Sequence, residues 1–136
     1  MTAIPQNVQD VFNAVKDVAL ATATTDGAPN ANIIGMKKII DDETLYLSDQ
    51  FFNKTLANLE QNQKVAVLFW NEDGAFQIKG TARYVNEGAE FEEQAAWVNA
   101  AFESLGMPIK TKGGIFVDVE AVYSSNPGPE AGALLA

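Results

Sequence analysis

Apolar residues recur along this chain with two periods. Val8, Val11, Phe12 and Val15 follow Pro5 at helical spacing, so Pro5 to Lys16 predicts a helix with one apolar face. Val18 to Thr25 is rich in β-branched residues and ends in the turn sequence D-G-A-P, after which Asn30 to Ile39 predicts a second strand paired as a hairpin. Thr44 to Ser48 predicts a third, short strand. Phe52, Leu56 and Leu59 then share one side of a short helix.

The second half repeats the alternation. Lys64 to Trp70, K-V-A-V-L-F-W, is apolar on both faces: Val65, Val67 and Phe69 point one way, and Ala66, Leu68 and Trp70 the other. Neither face of such a strand is meant for water, so the second must meet a helix, a ligand or another subunit. N-E-D-G turns the chain into Ala75 to Val85, where Phe76 and Ile78 alternate with Gln77 and Lys79. A third helix is expected over Ala89 to Leu105, with Phe91, Ala95, Val98, Phe102 and Leu105 on one stripe and acidic residues at its positive end. Ile115 to Tyr123 predicts the last strand. Residues 1–136 are thus expected to form a single domain, with 124–136, rich in Pro and Gly, as an extended C-terminal arm.

Six strands with mostly hairpin links and three short helices predict a mainly β fold, an antiparallel six-stranded barrel with short flanking helices. No G-x-G-x-x-G or G-x-x-x-x-G-K occurs, and the long βαβ rhythm of a doubly wound sheet is missing. Closure would remove exposed edges.

Composition removes whole classes of chemistry. The chain has no Cys and no His, which excludes thiolate catalysis, a Ser-His-Asp hydrolase and the commonest metal ligands; no metal is expected. Nine basic against eighteen acidic residues give a formal charge of −9, so nucleic acid is not an expected partner. No window approaches ~20 uninterrupted apolar residues, so no membrane partner is expected either, and the protein is expected in the cytoplasm. An anionic ligand would depend on a few well-placed cations. The candidate place is the seam S-D-Q-F-F-N-K-T, Ser48 to Thr55, between a strand end and a helix start, where hydroxyl, amide and ammonium groups lie close in sequence.

Three stretches in this order and spacing carry a resemblance: N-I-I at Asn32 to Ile34 after the D-G-x-P hairpin, L-Y-L-S before the polar seam, and N-K-T-L-A-N-L leading into K-V-A-V-L-F-W. Together with G-I-F-V-D-V-E-A-V-Y near the C-terminus, they resemble the FMN-binding split-barrel family, which includes pyridoxamine 5'-phosphate oxidases and small bacterial FMN-binding proteins. The resemblance implies FMN as cofactor. It puts the phosphate at Ser48, Asn53 and Lys54 with Thr55 beside them, although many members carry Arg at the position of Asn53. Asn32, Ile33 and Ile34 would run beneath the isoalloxazine, and Lys37 matches a basic position near the cofactor and substrate pocket. Trp70 serves either flavin stacking or interface packing, and Gln77 either a flavin carbonyl or an exposed barrel position.

The resemblance also implies a homodimer with FMN at the subunit interface, reduced by a nicotinamide or by a redox protein. The substrate is left open. The C-terminal half has only Lys110 and Lys112 near the last strand and lacks the Arg/His signature of true oxidases, which argues against pyridoxamine 5'-phosphate oxidation. Two other readings stay open: a barrel holding haem or a deazaflavin, and a cofactor-free dimeric binding module.

Overall fold

The computed structural model describes residues 1–136. Its elements are α1 (Gln6–Ala14), β1 (Val18–Ala23), β2 (Pro29–Ile34), β3 (Lys37–Asp41), β4 (Thr44–Asp49), α2 (Lys54–Gln61), β5 (Lys64–Asn71), β6 (Gly74–Val85), α3 (Ala89–Ser104) and β7 (Gly113–Ser124). The strands form one antiparallel sheet in the order β2-β1-β5-β6-β7-β4-β3. The fold is mainly β with short flanking helices, the split barrel expected.

Seven strands stand where six were expected, because Asn30 to Ile39 is two strands. β2 and β3 lie at opposite edges of the sheet, joined only through Gly35 and Met36. Such a link spans roughly 11 Å at most. A flat sheet of seven strands would hold those edges about 29 Å apart at ordinary strand spacing. The sheet must therefore curl until its edges nearly meet, and the seam between β2 and β3 is closed by a link instead of a ladder.

One core fills the curl. Val18, Leu20, Leu45, Leu47, Val65, Val67, Phe69, Ile78, Ile115, Val117 and Val119 point inward, and α1 plugs the interior with Val8, Val11 and Phe12. The Phe12 ring meets Phe69 edge-on at 5.3 Å. α2 packs on β1 and β2, with Leu59 in the same core.

Helix α3 lies elsewhere. It packs on β7, outside the barrel, and buries Phe91, Ala95 and Val98 on the side where the Tyr46 and Phe116 rings meet at a tilt, 4.9 Å apart. Consequently it does not cover the second face of β5, where Leu68 is 36% and Trp70 61% exposed. The expected stripe also ends early. The helix stops at Ser104, Gly106 takes a positive φ of 69°, and Leu105 is 71% exposed. The segment after β7 turns back on it: Ser124 N–H donates to the Ala133 carbonyl and Leu135 N–H to that of Val122.

Candidate functional site

The curl leaves a groove at the seam. The Gly35–Met36 link, the end of β4 and the segment following α3 converge around a cavity of about 540 Å³. β2 supplies Asn32, Ile33 and Ile34; the β4 end supplies Ser48 and then Gln50, Phe51 and Phe52. Phe102, Leu105, Met107 and Ile109 close the far side, and Lys16 and Asp17 stand at the rim. The walls are mostly apolar and the polar groups few, the usual make-up of a small-molecule site.

Ser48 is 1% exposed and held by neighbours. Its Oγ lies 2.7 Å from Thr111 Oγ1 and accepts from Gln50 Nε2 at 2.7 Å. Asp49, on the opposite face of β4, accepts from the Tyr84 hydroxyl at 2.6 Å and from the Phe52 N–H at 2.9 Å, which fixes the chain's turn toward α2. Burial, with that hydrogen bond second, pushes the Tyr84 phenol well above its ordinary value. The Tyr46 hydroxyl is the one buried side-chain polar atom without a partner at hydrogen-bond distance and angle; burial pushes its phenol up to about 12, against a weaker lowering by the nearby Ser48 hydroxyl. These groups surround Gly113 and Gly114, where a methyl would overlap the Tyr84 and Tyr46 hydroxyl oxygens respectively.

The other expected site residues divide among separate places. Asn53 precedes α2 with φ 49° and ψ −107°, the one non-glycine residue at positive φ and a conformation that Asn tolerates better than most. Lys54 is exposed and lines a shallower depression with Pro29, Asn30 and Asn58, apart from the main groove. It makes neither of the chain's two ion pairs, which join Lys64 to Glu120 and Arg83 to Glu90. Thr55 is buried and accepts from Asn30 Nδ2 at 3.1 Å.

Lys37 does not line the groove. Its Nζ donates to the Phe12 carbonyl at 2.8 Å, near the C-terminal end of α1 where carbonyls lack helical partners, and sits 4.7 Å from the Phe12 ring centre. Burial lowers its pKa, with Asp17 opposing. Lys38 points the other way, over the Trp97 ring. Trp70 and Gln77 share a further depression with Leu68 and Ala75. Trp70 also meets Ile33, Lys16 and Asp17 in a smaller one, so Ile33 is the ridge between the main groove and the exposed β5 face.

Sequence reasoning gave Gln50 and Phe51 of the seam no role and missed Met107, Ile109 and Thr111. The signal was M-P-I after Gly106, two apolar residues in a loop with no periodic face to serve.

Comparisons with known proteins bear on the family and the fold. A family model described as "Pyridoxamine 5'-phosphate oxidase" matches residues 4–126. The uncharacterized protein MJ0282 of Methanocaldococcus jannaschii is 38% identical over 122 residues, covering 88% of this chain and 79% of the relative. Among solved structures, HupZ of Group A Streptococcus is similar with a TM-score of 0.78 and 25% identity, over 95% of this chain and 99% of that one. An FMN-binding protein of Syntrophomonas wolfei gives 0.74 at 16% identity, over 89% and 85%, a likeness of fold alone.

Proposed function

The chain belongs to the pyridoxamine 5'-phosphate oxidase family, and from that premise we propose that it is an FMN-binding flavoprotein, an oxidoreductase or electron carrier acting as a homodimer. One observation carries the reading. Two of the segments that the family resemblance assigned to FMN, Asn32 to Ile34 and Ser48 at the end of β4, meet in one groove of about 540 Å³, while Lys54 lines another depression.

The residues present fit such a cofactor. Ile33 and Phe51 are 67% and 65% exposed at the groove, apolar surfaces for a flat ring, while Asn32 and Gln50 supply carboxamides for its polar edge. Lys54, free of any carboxylate in a strongly acidic chain, supplies the cation for the phosphate, with Asn53 exposed at the same helix start. A bound flavin supplies the redox chemistry itself; the chain binds it, orients it and limits water around it. The electron donor is a reduced nicotinamide or a redox protein. Pyridoxamine 5'-phosphate is not the expected substrate, since the C-terminal half has none of the Arg/His signature of true oxidases.

The dimer reading rests on the outer face of β2, β1, β5 and β6. Ile33, Ala19, Leu68 and Gln77 form one cross-strand row there, a mostly apolar strip beside the groove that α3 leaves bare. A second copy covering it would bring its own residues to the rim across Ile33.

Absorbance of the purified protein soaked with FMN and desalted tests the binding: retained flavin bands are expected, and their absence contradicts it. The phosphate assignment is tested by Lys54→Ala, expected to weaken FMN over riboflavin by about 1.5–3 kcal/mol in fluorescence titration. Equal losses for both ligands contradict that assignment.

A further inference from the structure

Counting protons at the floor of the groove shows which side chain has a hydrogen to offer. Thr111 Oγ1 lies 2.8 Å from the Gly113 carbonyl oxygen and 3.1 Å from that of Asp49. Carbonyls only accept, so the single Thr111 hydroxyl proton belongs to one of them. The 2.7 Å contact between Ser48 Oγ and Thr111 Oγ1 then needs a proton from Ser48. Were Thr111 to donate to Ser48 instead, neither carbonyl would receive its proton, and only that of Asp49 would keep a named donor, the Lys112 N–H at 2.8 Å. Ser48 has no second proton, and its oxygen already accepts from Gln50 Nε2 at 2.7 Å.

Gln50 is different. It is half-buried, lines the groove, and keeps a second Nε2 proton together with the two lone pairs of Oε1. We infer that the Gln50 carboxamide, and not the Ser48 hydroxyl, is the donor that the β4 end presents to an oxygen of the ligand, and that Thr111 is the positioning residue that enforces this by taking the Ser48 proton.

The consequence joins distant parts of the chain. Thr111 N–H donates to Asn99 Oδ1 at 2.9 Å and Lys112 N–H to the Asp49 carbonyl at 2.8 Å, so the segment behind α3, which also forms the groove's far wall, sets the hydrogen-bond direction at β4. The ligand's identity rests on the flavin reading; the proton arrangement does not. The oxygen recognised is either a phosphate oxygen or a ring carbonyl, the same acceptor chemistry from two parts of one molecule.

Two measurements test it, the first without ligand. Gln50→Glu puts an acceptor where a donor stood, against a Ser48 whose proton is committed, and is expected to lower the melting temperature at pH 7 by about 4 °C. Adding Thr111→Val frees that proton for the introduced carboxylate, so the double variant should regain about half of the loss relative to Thr111→Val alone. A Gln50→Glu protein as stable as wild type, or no regain, overturns the assignment, because Ser48 would then have had a proton to give from the start. In the second, FMN and riboflavin are titrated by fluorescence. Gln50→Leu is expected to weaken FMN about tenfold more than Ser48→Ala does. A loss for FMN alone makes the recognised oxygen the phosphate's, and an equal loss for riboflavin makes it the ring's; a larger loss from Ser48→Ala overturns the proposal. Should wild type bind neither flavin, the cofactor reading fails, and the melting experiment still decides the donor.

Discussion

The outer surface of the barrel has two halves built to different rules. Over β4 from Leu45 onward and the first part of β7, Gly113 to Val117, beneath α3, both faces of the strands are buried; the Tyr46 and Phe116 rings pack at a tilt outside the sheet, and Gly113 and Gly114 leave no room for a methyl. Over β2, β1 and β5 the outer face carries the small residues Ala19, Ala21, Ala31 and Ala66, with Ile33, Leu68 and Trp70 standing out, and β6 borders it with Gln77, Lys79, Thr81 and Arg83. The first half is packed within the chain. The second is apolar and flat yet unpacked, which in a chain of net charge −9 marks a surface shaped for contact rather than for water.

The contrast can be broken most directly in the packed half. Gly114→Ala would drive its methyl into the Tyr46 hydroxyl and to 2.8 Å from the ring carbon Cε1, and the ring is fully buried and cannot swing away. A loss of about 3 kcal/mol in urea unfolding is expected. A cost under about 1 kcal/mol would show slack that a packed half should lack.

A smaller effect is expected at Tyr84, where Phe would remove the hydroxyl that donates to Asp49, a carboxylate 1% exposed. Asp49 would keep only its bond from the Phe52 N–H, at a cost of about 2 kcal/mol. The same unfolding measurement checks it.

Tyr46→Phe should act in the opposite direction and more weakly. Its hydroxyl is buried without a partner, so removing it should gain about 1 kcal/mol. The sign of its pH dependence follows from the raised pKa: the fold favours the protonated phenol, so its contribution is full below pH ~10 and is lost as pH rises toward about 12. Wild type should therefore lose stability across that window, and Tyr46→Phe should lose less; alkaline unfolding followed by circular dichroism distinguishes the two.

These effects also explain what was legible in the sequence. Alternation in K-V-A-V-L-F-W exposed the two-faced strand, and the helical stripes of α1 and α2 pointed to the core, because periodicity is a local property. The break at Gly35–Met36 was invisible, since it is forced by the distance between the sheet edges and not by the residues around it. For the same reason the groove was only half visible: Asn32 to Ile34 and Ser48 were found from the chain, whereas Met107, Ile109 and Thr111 join them only through the placement of α3 on β7. Lys37 shows the limit of placing a side chain by sequence position, because the Phe12 carbonyl, brought close by α1, holds its ammonium.

The central claim is that the bare half and the groove form one site across two copies of the chain. Leu68→Asp tests it, placing a charge on the exposed row while leaving the inner core of β5, Val65, Val67 and Phe69, untouched. Light scattering and FMN titration on the same folded sample should show a monomer whose FMN affinity has fallen by about tenfold or more. A folded monomer that binds FMN as tightly as the wild type would contradict the account and assign the whole site to one chain.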